Sequence, residues 1–152
     1  MAHFAKLGID NIVLNVVKVD DKDTSTIGGI EKEDLGLDYL ERTTGHANWM
    51  KCSYNTIDGI HVGGKTPLRV NFPSIGDYYD STNDIFHPPR PVDSDGTTCA
   101  SWTLDVKTGR WNPPITIPTL TDEQDQAGKY YIWDESAYQA DNTKGWILFS
   151  ST

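Results

Sequence analysis

The segment Tyr79–Pro89, YDSTNDIFHPP, returns twenty-five residues later as Leu104–Pro114, LDVKTGRWNPP. Asp80 and Asp105, Phe86 and Trp111, Pro88-Pro89 and Pro113-Pro114 keep the same offsets in both copies. The residues between Asp and the aromatic are turn formers, because Asn and Asp bond their own backbone and Gly tolerates a left-handed conformation. Each copy therefore predicts a β-hairpin with a polar tip, an aromatic on the return strand and a Pro-Pro stop that cannot continue a ladder. A degenerate third copy begins at Trp133-Asp134, and its second aromatic, Trp146, follows after a longer tip, Glu135 to Gly145. Three such units predict a meander or a stack in which each ring covers its neighbour.

Around this repeat the composition is uneven. The 152-residue chain carries 13 basic and 22 acidic residues, a net charge of −9, with five Trp, seven Tyr and four Phe. Residues 77–152 hold five basic against twelve acidic residues, a net of −7, along with four of the five tryptophans and most of the prolines. That shift predicts two units: a small α+β domain over 1–76 and a Trp- and Pro-rich hairpin unit over 77–152. The fold class expected is mainly β, an α+β N-terminal unit with one helix followed by an array of antiparallel hairpins. Acidity of this size opposes phosphate-backbone binding, so nucleic acid is not an expected partner. No apolar run reaches the ~18 residues that suggest a membrane span, and the N-terminus lacks a secretory layout.

The N-terminal unit opens with two alternating stretches, His3–Leu7 and Ile12–Val19, joined by Gly8-Ile9-Asp10-Asn11, a strand–turn–strand pattern. Asp20–Ser25 breaks it. Ile30–Thr43 predicts a helix, with Ile30, Asp34, Leu37 and Leu40 near i, i+4, i+7 spacing and Gly45 at the C-terminal cap. Asn48–Asn55 alternates as a strand. From Asp58 to Pro73 turn residues punctuate two short strand-like runs, Ile60–Val62 and Leu68–Val70.

The chain offers several chemical motifs, and each is weaker than it first looks. Gly59-Ile-His-Val-Gly63-Gly64-Lys65-Thr66 satisfies the spacing of a phosphate-binding loop. That loop needs an apolar strand before the first Gly and a helix whose N–H groups cradle phosphate from the Lys onward. Tyr-Asn-Thr-Ile-Asp precedes Gly59 and Pro67 follows Thr66, so a glycine-rich link between strands is the expectation. The four histidines are scattered, and Cys52 and Cys99 form no metal-ligand pattern with them. Both cysteines are expected as reduced, buried small hydrophobes. Asp93-Ser-Asp95-Gly96 resembles the start of a calcium loop, but Leu104 stands where the bidentate Glu belongs, so a solvated turn is expected there. No paired carboxylates, nucleophile and base, or cofactor motif assembles. The reading is a non-enzyme with no catalytic residues, metal or cofactor.

Ser53–His61, Gly64–Phe72 and Ile75–Asp80, with His3–Gly8, Phe86–Pro91, Ala100–Asp105 and Tyr131–Glu135, resemble an uncharacterised family encoded by marine tailed phages, many with cyanobacterial hosts. The likeness covers nearly the whole chain in order and carries no catalytic residues to transfer. The longer third hairpin and the acidic Asp122–Asp125 segment depart from the family pattern. The resemblance implies a structural virion component, assembled in the host cytoplasm: a capsid decoration, neck, baseplate or fibre-associated subunit. Its partners would be other virion proteins and copies of itself, as a homo-oligomer or multi-copy assembly. Two alternatives accompany this reading. In one, Trp102, Trp111, Trp133 or Trp146 stack on host-surface glycan; in the other, the protein is a tail-fibre assembly chaperone. Cross-strand packing of the same tryptophans explains their number without a ligand.

Overall fold

The computed structural model describes residues 1–150. Its largest sheet is built on β1 (Ala2–Leu7), which pairs antiparallel with β2 (Val13–Val19) on one side and β3 (Trp49–Cys52) on the other. Alternation along β1 sends Ala2 and Phe4 to one face and Ala5 and Leu7 to the other, and all four are buried. The hairpin expected over residues 3–19 forms, linked through a tight turn at Ile9–Asn11 in which Asp10 and Asn11 take left-handed φ values of 56 and 59.

Each face has its own cover. A one-turn helix, α1 (Asp21–Thr24), follows β2, and α2 (Glu33–Thr44) lies over the face of Phe4, Val19 and Trp49 through Leu40, Leu37 and Tyr39. Gly36 allows this approach, since a Cβ there would stand 2.2 Å from Phe4 Cζ. Burying a ring such as Phe4 stabilises the fold by about 1.5–3 kcal/mol. Gly45 ends α2 in the left-handed conformation, its N–H donating to Glu41 O. The helix starts later than Ile30 because Ser25 and Glu31 bridge and Thr26 N–H donates to Ile30 O, which holds residues 25–31 in a turn. Ile30 is consequently exposed rather than on the helix's apolar face.

The opposite face, formed by Ala5, Leu7, Val13 and Cys52, is covered by Tyr79 and Phe86, with Phe72 against them. These two rings come from β6 (Tyr78–Asp80) and β7 (Ile85–His87). Before them, β4 (Thr56–Ile57) and β5 (Ile60–His61) pair around Asp58-Gly59, both at positive φ as a type I′ turn requires. Leu68–Val70 is not a strand. Arg69 and Val70 sit at φ 50 and 70, turning their carbonyls to accept from Phe86 N–H and Gly59 N–H respectively.

The repeat is present in the backbone. β8 (Thr103–Asp105) and β9 (Arg110–Asn112) stand at the offset of β6 and β7, strand for strand. Asp80 Oδ1 accepts from Thr82 N–H at 2.9 Å, and Asp105 Oδ1 accepts from Lys107 N–H at 2.9 Å. The left-handed residue before the return strand is Asp84 in one copy and Gly109 in the other. Each return strand stops just before its Pro-Pro pair.

The C-terminal part adds α3 (Asp122–Gln126), β10 (Lys129–Trp133), α4 (Glu135–Ala140) and β11 (Trp146–Ser150). β10 and β11 pair antiparallel, with Trp133 opposite Trp146, and the expected insertion in the tip contains α4. Among the described residues four helices therefore stand where one was expected. Thr121 and Gln124 form a capping box for α3, and Asp134 caps α4. The architecture is mostly antiparallel β in small sheets. Among the described residues β6–β7, β8–β9 and β10–β11 remain separate two-stranded sheets and do not join in one meander.

The chain divides into two compact units, and not at residue 76. One comprises Met1–Pro89 with Asp105–Arg110; the other comprises Arg90–Leu104 and the chain from Trp111 on. The first repeat belongs with the N-terminal sheet because Tyr79 and Phe86 complete that sheet's core. With this division ten basic and fourteen acidic residues give the first unit −4, while three and eight give the second −5. No helix among the described residues is long and apolar enough to cross a membrane.

Candidate functional site

The first unit is pinned by a polar cluster around Arg69, whose side chain is 12% exposed. Its guanidinium lies 3.0 Å from Glu33 Oε1 as an ion pair and donates to Glu33 Oε2 at 3.3 Å, to Asp84 Oδ1 at 2.7 Å and to Lys51 O at 2.9 Å. Tyr79 Oη donates to the same Asp84 oxygen at 2.5 Å. Burial alone would raise the Asp84 carboxyl, but the Tyr79 and Arg69 hydrogen bonds and the Arg69 charge outweigh it and hold it low. The arrangement ties α2, β3, the strained 69–70 turn and the first repeat hairpin together. It is built for cohesion, with all three guanidinium nitrogens engaged.

A cleft of about 460 Å³ in the same unit is lined by His3, Lys51, Tyr54, His61, Lys65 and Thr66, among others. His61 Nδ1 accepts from Gly63 N–H at 2.9 Å and stabilises the loop carrying Lys65. No helix follows Lys65-Thr66, so the loop lacks the helix N-terminus on which a phosphate cradle depends. Cys52 lies on the sheet's buried face, and burial pushes its thiol up to about 12 despite nearby Arg69. Cys99, in the second unit, is likewise buried, free and raised by burial.

In the second unit the tryptophans converge. Trp102, Trp133 and Trp146 form a triangle of tilted and edge-on rings, with centroids 5.1–6.2 Å apart. Trp133 is 5% exposed and also packs on Tyr138, so it offers no free face to a sugar. Trp146 Nε1 donates to Ile115 O at 2.7 Å. The buried indole N–H of Trp102 has no hydrogen-bond partner among the described residues. Trp111 stands apart, with the Arg90 guanidinium 4.3 Å from its ring centroid. Arg90 also donates to the carbonyls of Cys99, Ala100 and Trp102. The arrangement packs these rings on one another and on a cation. Of the other repeat-defining residues, Asp80 and Asp105 organise the tips, Phe86 is core, and Pro88, Pro89, Pro113 and Pro114 end the ladders.

Glu135 is the buried carboxylate of this unit, 2% exposed. It accepts from Ser101 Oγ at 2.6 Å, Gln139 Nε2 at 2.8 Å and Trp133 Nε1 at 3.1 Å. Burial raises its carboxyl, but these donors outweigh it and the net direction is down. Asp93 Oδ2 accepts Glu135 N–H at 3.0 Å, and its Oδ1 accepts from Asp95 and Thr97 N–H at 2.9 Å. Oxygens of Asp93, Asp95 and Asp134 come within 4.8 Å of one another. Asp93 and Asp134 already serve as acceptors for backbone N–H groups in a turn and a helix cap, which accounts for their placement. Neither Glu33–Arg69–Asp84 nor Glu135 was legible in sequence, because long-range partners leave no local spacing.

The surfaces left open are apolar. Ile57 and Ile60 face each other across the β4–β5 ribbon, 56% and 64% exposed, with Val62 beyond them at 69%. On β10–β11, Tyr130 and Phe149 form a half-exposed pair with ring centroids 5.5 Å apart. Next to Tyr130 lies a groove of about 400 Å³ lined by Ile117, Pro118, Leu120, Tyr131, Asp122 and Asp125. The sequence did carry a signal for it: Thr121-x-x-Gln124 is a capping-box pattern leading into Tyr130-Tyr131. A scan against protein-family models, a search of curated proteins and a search of solved structures each find no match to this chain.

Proposed function

We propose that the protein is a structural component of a tailed-phage virion, a capsid decoration, neck, baseplate or fibre-associated subunit. It acts by binding other virion proteins and copies of itself, without catalysis. The exposed aliphatic pair Ile57–Ile60 on a two-stranded ribbon carries the reading. Large apolar side chains presented together on a short ribbon suit burial against another chain. The family resemblance supplies the setting. The glycan alternative is less well supported, since Trp102, Trp133 and Trp146 spend their faces on one another.

Quantitative mass spectrometry of purified particles tests the proposal. The protein is expected in mature virions at a fixed copy number: hundreds for a capsid position, a few to a few dozen for neck, baseplate or fibre. Absence from mature particles, with association to fibre protein only during infection, would replace it with the assembly-chaperone reading.

A further inference from the structure

The groove beside α3 combines two properties that rarely meet on one small surface. Its walls are apolar and aromatic, with Ile117 52% and Tyr130 41% exposed, and its rim carries the carboxylates of Asp122 and Asp125. Among the described residues no Lys or Arg pairs with either carboxylate. The second unit has three basic residues to set against eight acids. Arg90 is committed to three carbonyls and to Trp111, Lys144 lies 3.9 Å from Asp141, and the third base, Lys129, directly precedes Tyr130 and pairs with no carboxylate among the described residues. The rim carboxylates of Asp122 and Asp125 are thus unpaired among the described residues.

We propose that this groove docks an extended segment of a partner protein bearing Lys or Arg between aliphatic residues. The charge complementarity selects the occupant. A cationic head meets Asp122 and Asp125 and the face of a tyrosine, while its methylene stem and the flanking aliphatics lie along Ile117, Pro118 and Leu120. Phosphate-bearing partners are repelled by the same carboxylates. The groove's chemistry is independent of whether the partner is a virion protein, so the inference stands apart from the virion reading.

The test uses the ¹⁵N-labelled full chain and two synthetic pentapeptides, acetyl-Ile-Arg-Leu-Lys-Ile-amide and its counterpart with Glu at both charged positions. The basic peptide should give saturable amide shifts confined to residues 117–131. Its affinity should fall severalfold between about 50 and 300 mM salt, as partly exposed ion pairs do. The Asp122→Asn/Asp125→Asn variant should bind about fivefold more weakly, two exposed pairs being lost. If that variant misfolds, Ile117→Lys places a like charge in the groove and should abolish the shifts. No saturable shift, equal binding of the acidic peptide, or shifts centred elsewhere would overturn the proposal. So would concentration-dependent shifts at the groove without peptide, which would assign it to a second copy of the chain.

Discussion

Replacing Arg69 with Met removes the hub of the first unit while keeping most of the aliphatic stem. Arg69 makes charge-assisted bonds to Glu33 and Asp84 and one to the Lys51 carbonyl. Its loss leaves Glu33, 30% exposed, facing the sheet with only the Lys51 N–H as donor. Breaking a buried pair from one side costs about 3–5 kcal/mol. Asp84, 60% exposed, can rehydrate and keeps its bond from Tyr79, which places the expected loss near the low end, about 3 kcal/mol. For a chain of this size that is a fall in Tm of roughly 6–12 °C. Urea unfolding followed by circular dichroism measures it, with Asp84→Asn and the double variant completing a cycle. The cycle should show coupling of at least about 0.5 kcal/mol between the two sites. Arg69→Lys should recover only part of the loss, because an ammonium cannot bridge Glu33 and Asp84 as the planar fork does. A loss below about 1 kcal/mol for Arg69→Met, or strict additivity with Asp84→Asn, would refute the hub.

Other perturbations follow from single contacts. Gly36→Ala gains about 1 kcal/mol of helix propensity but drives a methyl into Phe4, so a net loss of about 1–2 kcal/mol is expected in the same assay. Glu135→Gln turns an acceptor surrounded by donors into one with its own N–H₂, and should cost about 2–3 kcal/mol. Native protein should take up no iodoacetamide at Cys52 or Cys99, with both alkylated in urea, because both thiols are buried and raised in pKa; intact mass reads the result. Asp84, Glu135, Asp93 and Asp80 all have folded carboxyl pKa values below their unfolded ones. The stability they contribute is complete above the unfolded values near pH 4 and lost as pH falls through the lower folded ones. Tm should therefore fall modestly below about pH 6.5, where burial of His3 holds its folded pKa below the unfolded one, and drop steeply below about 4 as these carboxylates protonate.

How much of this was legible depended on how local the cause was. The β1–β2 hairpin, the C-cap at Gly45 and the two repeat tips are set by residues within a few positions of each other, and each formed where the sequence placed it. The helix start at Glu33 instead of Ile30 was set by a bridge between Ser25 and Glu31, still short-range but without a pattern in composition. Leu68–Val70 has strand-like residues, yet tertiary demand won. The Phe86 and Gly59 N–H groups both need carbonyl partners, and two left-handed residues supply them. α3 and α4 were missed although their caps, Thr121-x-x-Gln124 and Asp134, stood in plain sequence.

The repeat shows where local reading stops. Both copies share the Asp that accepts from the tip N–H, the left-handed residue and the proline stop. Their rings have different fates. Phe86 is fully buried, with Tyr79 beside it in the core of the N-terminal sheet, whereas Leu104 and Trp111 are only half-buried and Trp111 carries Arg90 on its face. Turn chemistry acts over five residues and survives duplication; burial is decided by whichever surface the hairpin meets. That difference puts the first repeat, through Pro89, in the N-terminal unit, which also takes Asp105–Arg110, because a hairpin belongs to the core its rings enter and not to the half of the chain whose composition it shares. It also divides the acidity almost evenly between the units. The unneutralised acid that matters for recognition is then local: two carboxylates on one aromatic groove, where no basic side chain of the described residues pairs with them.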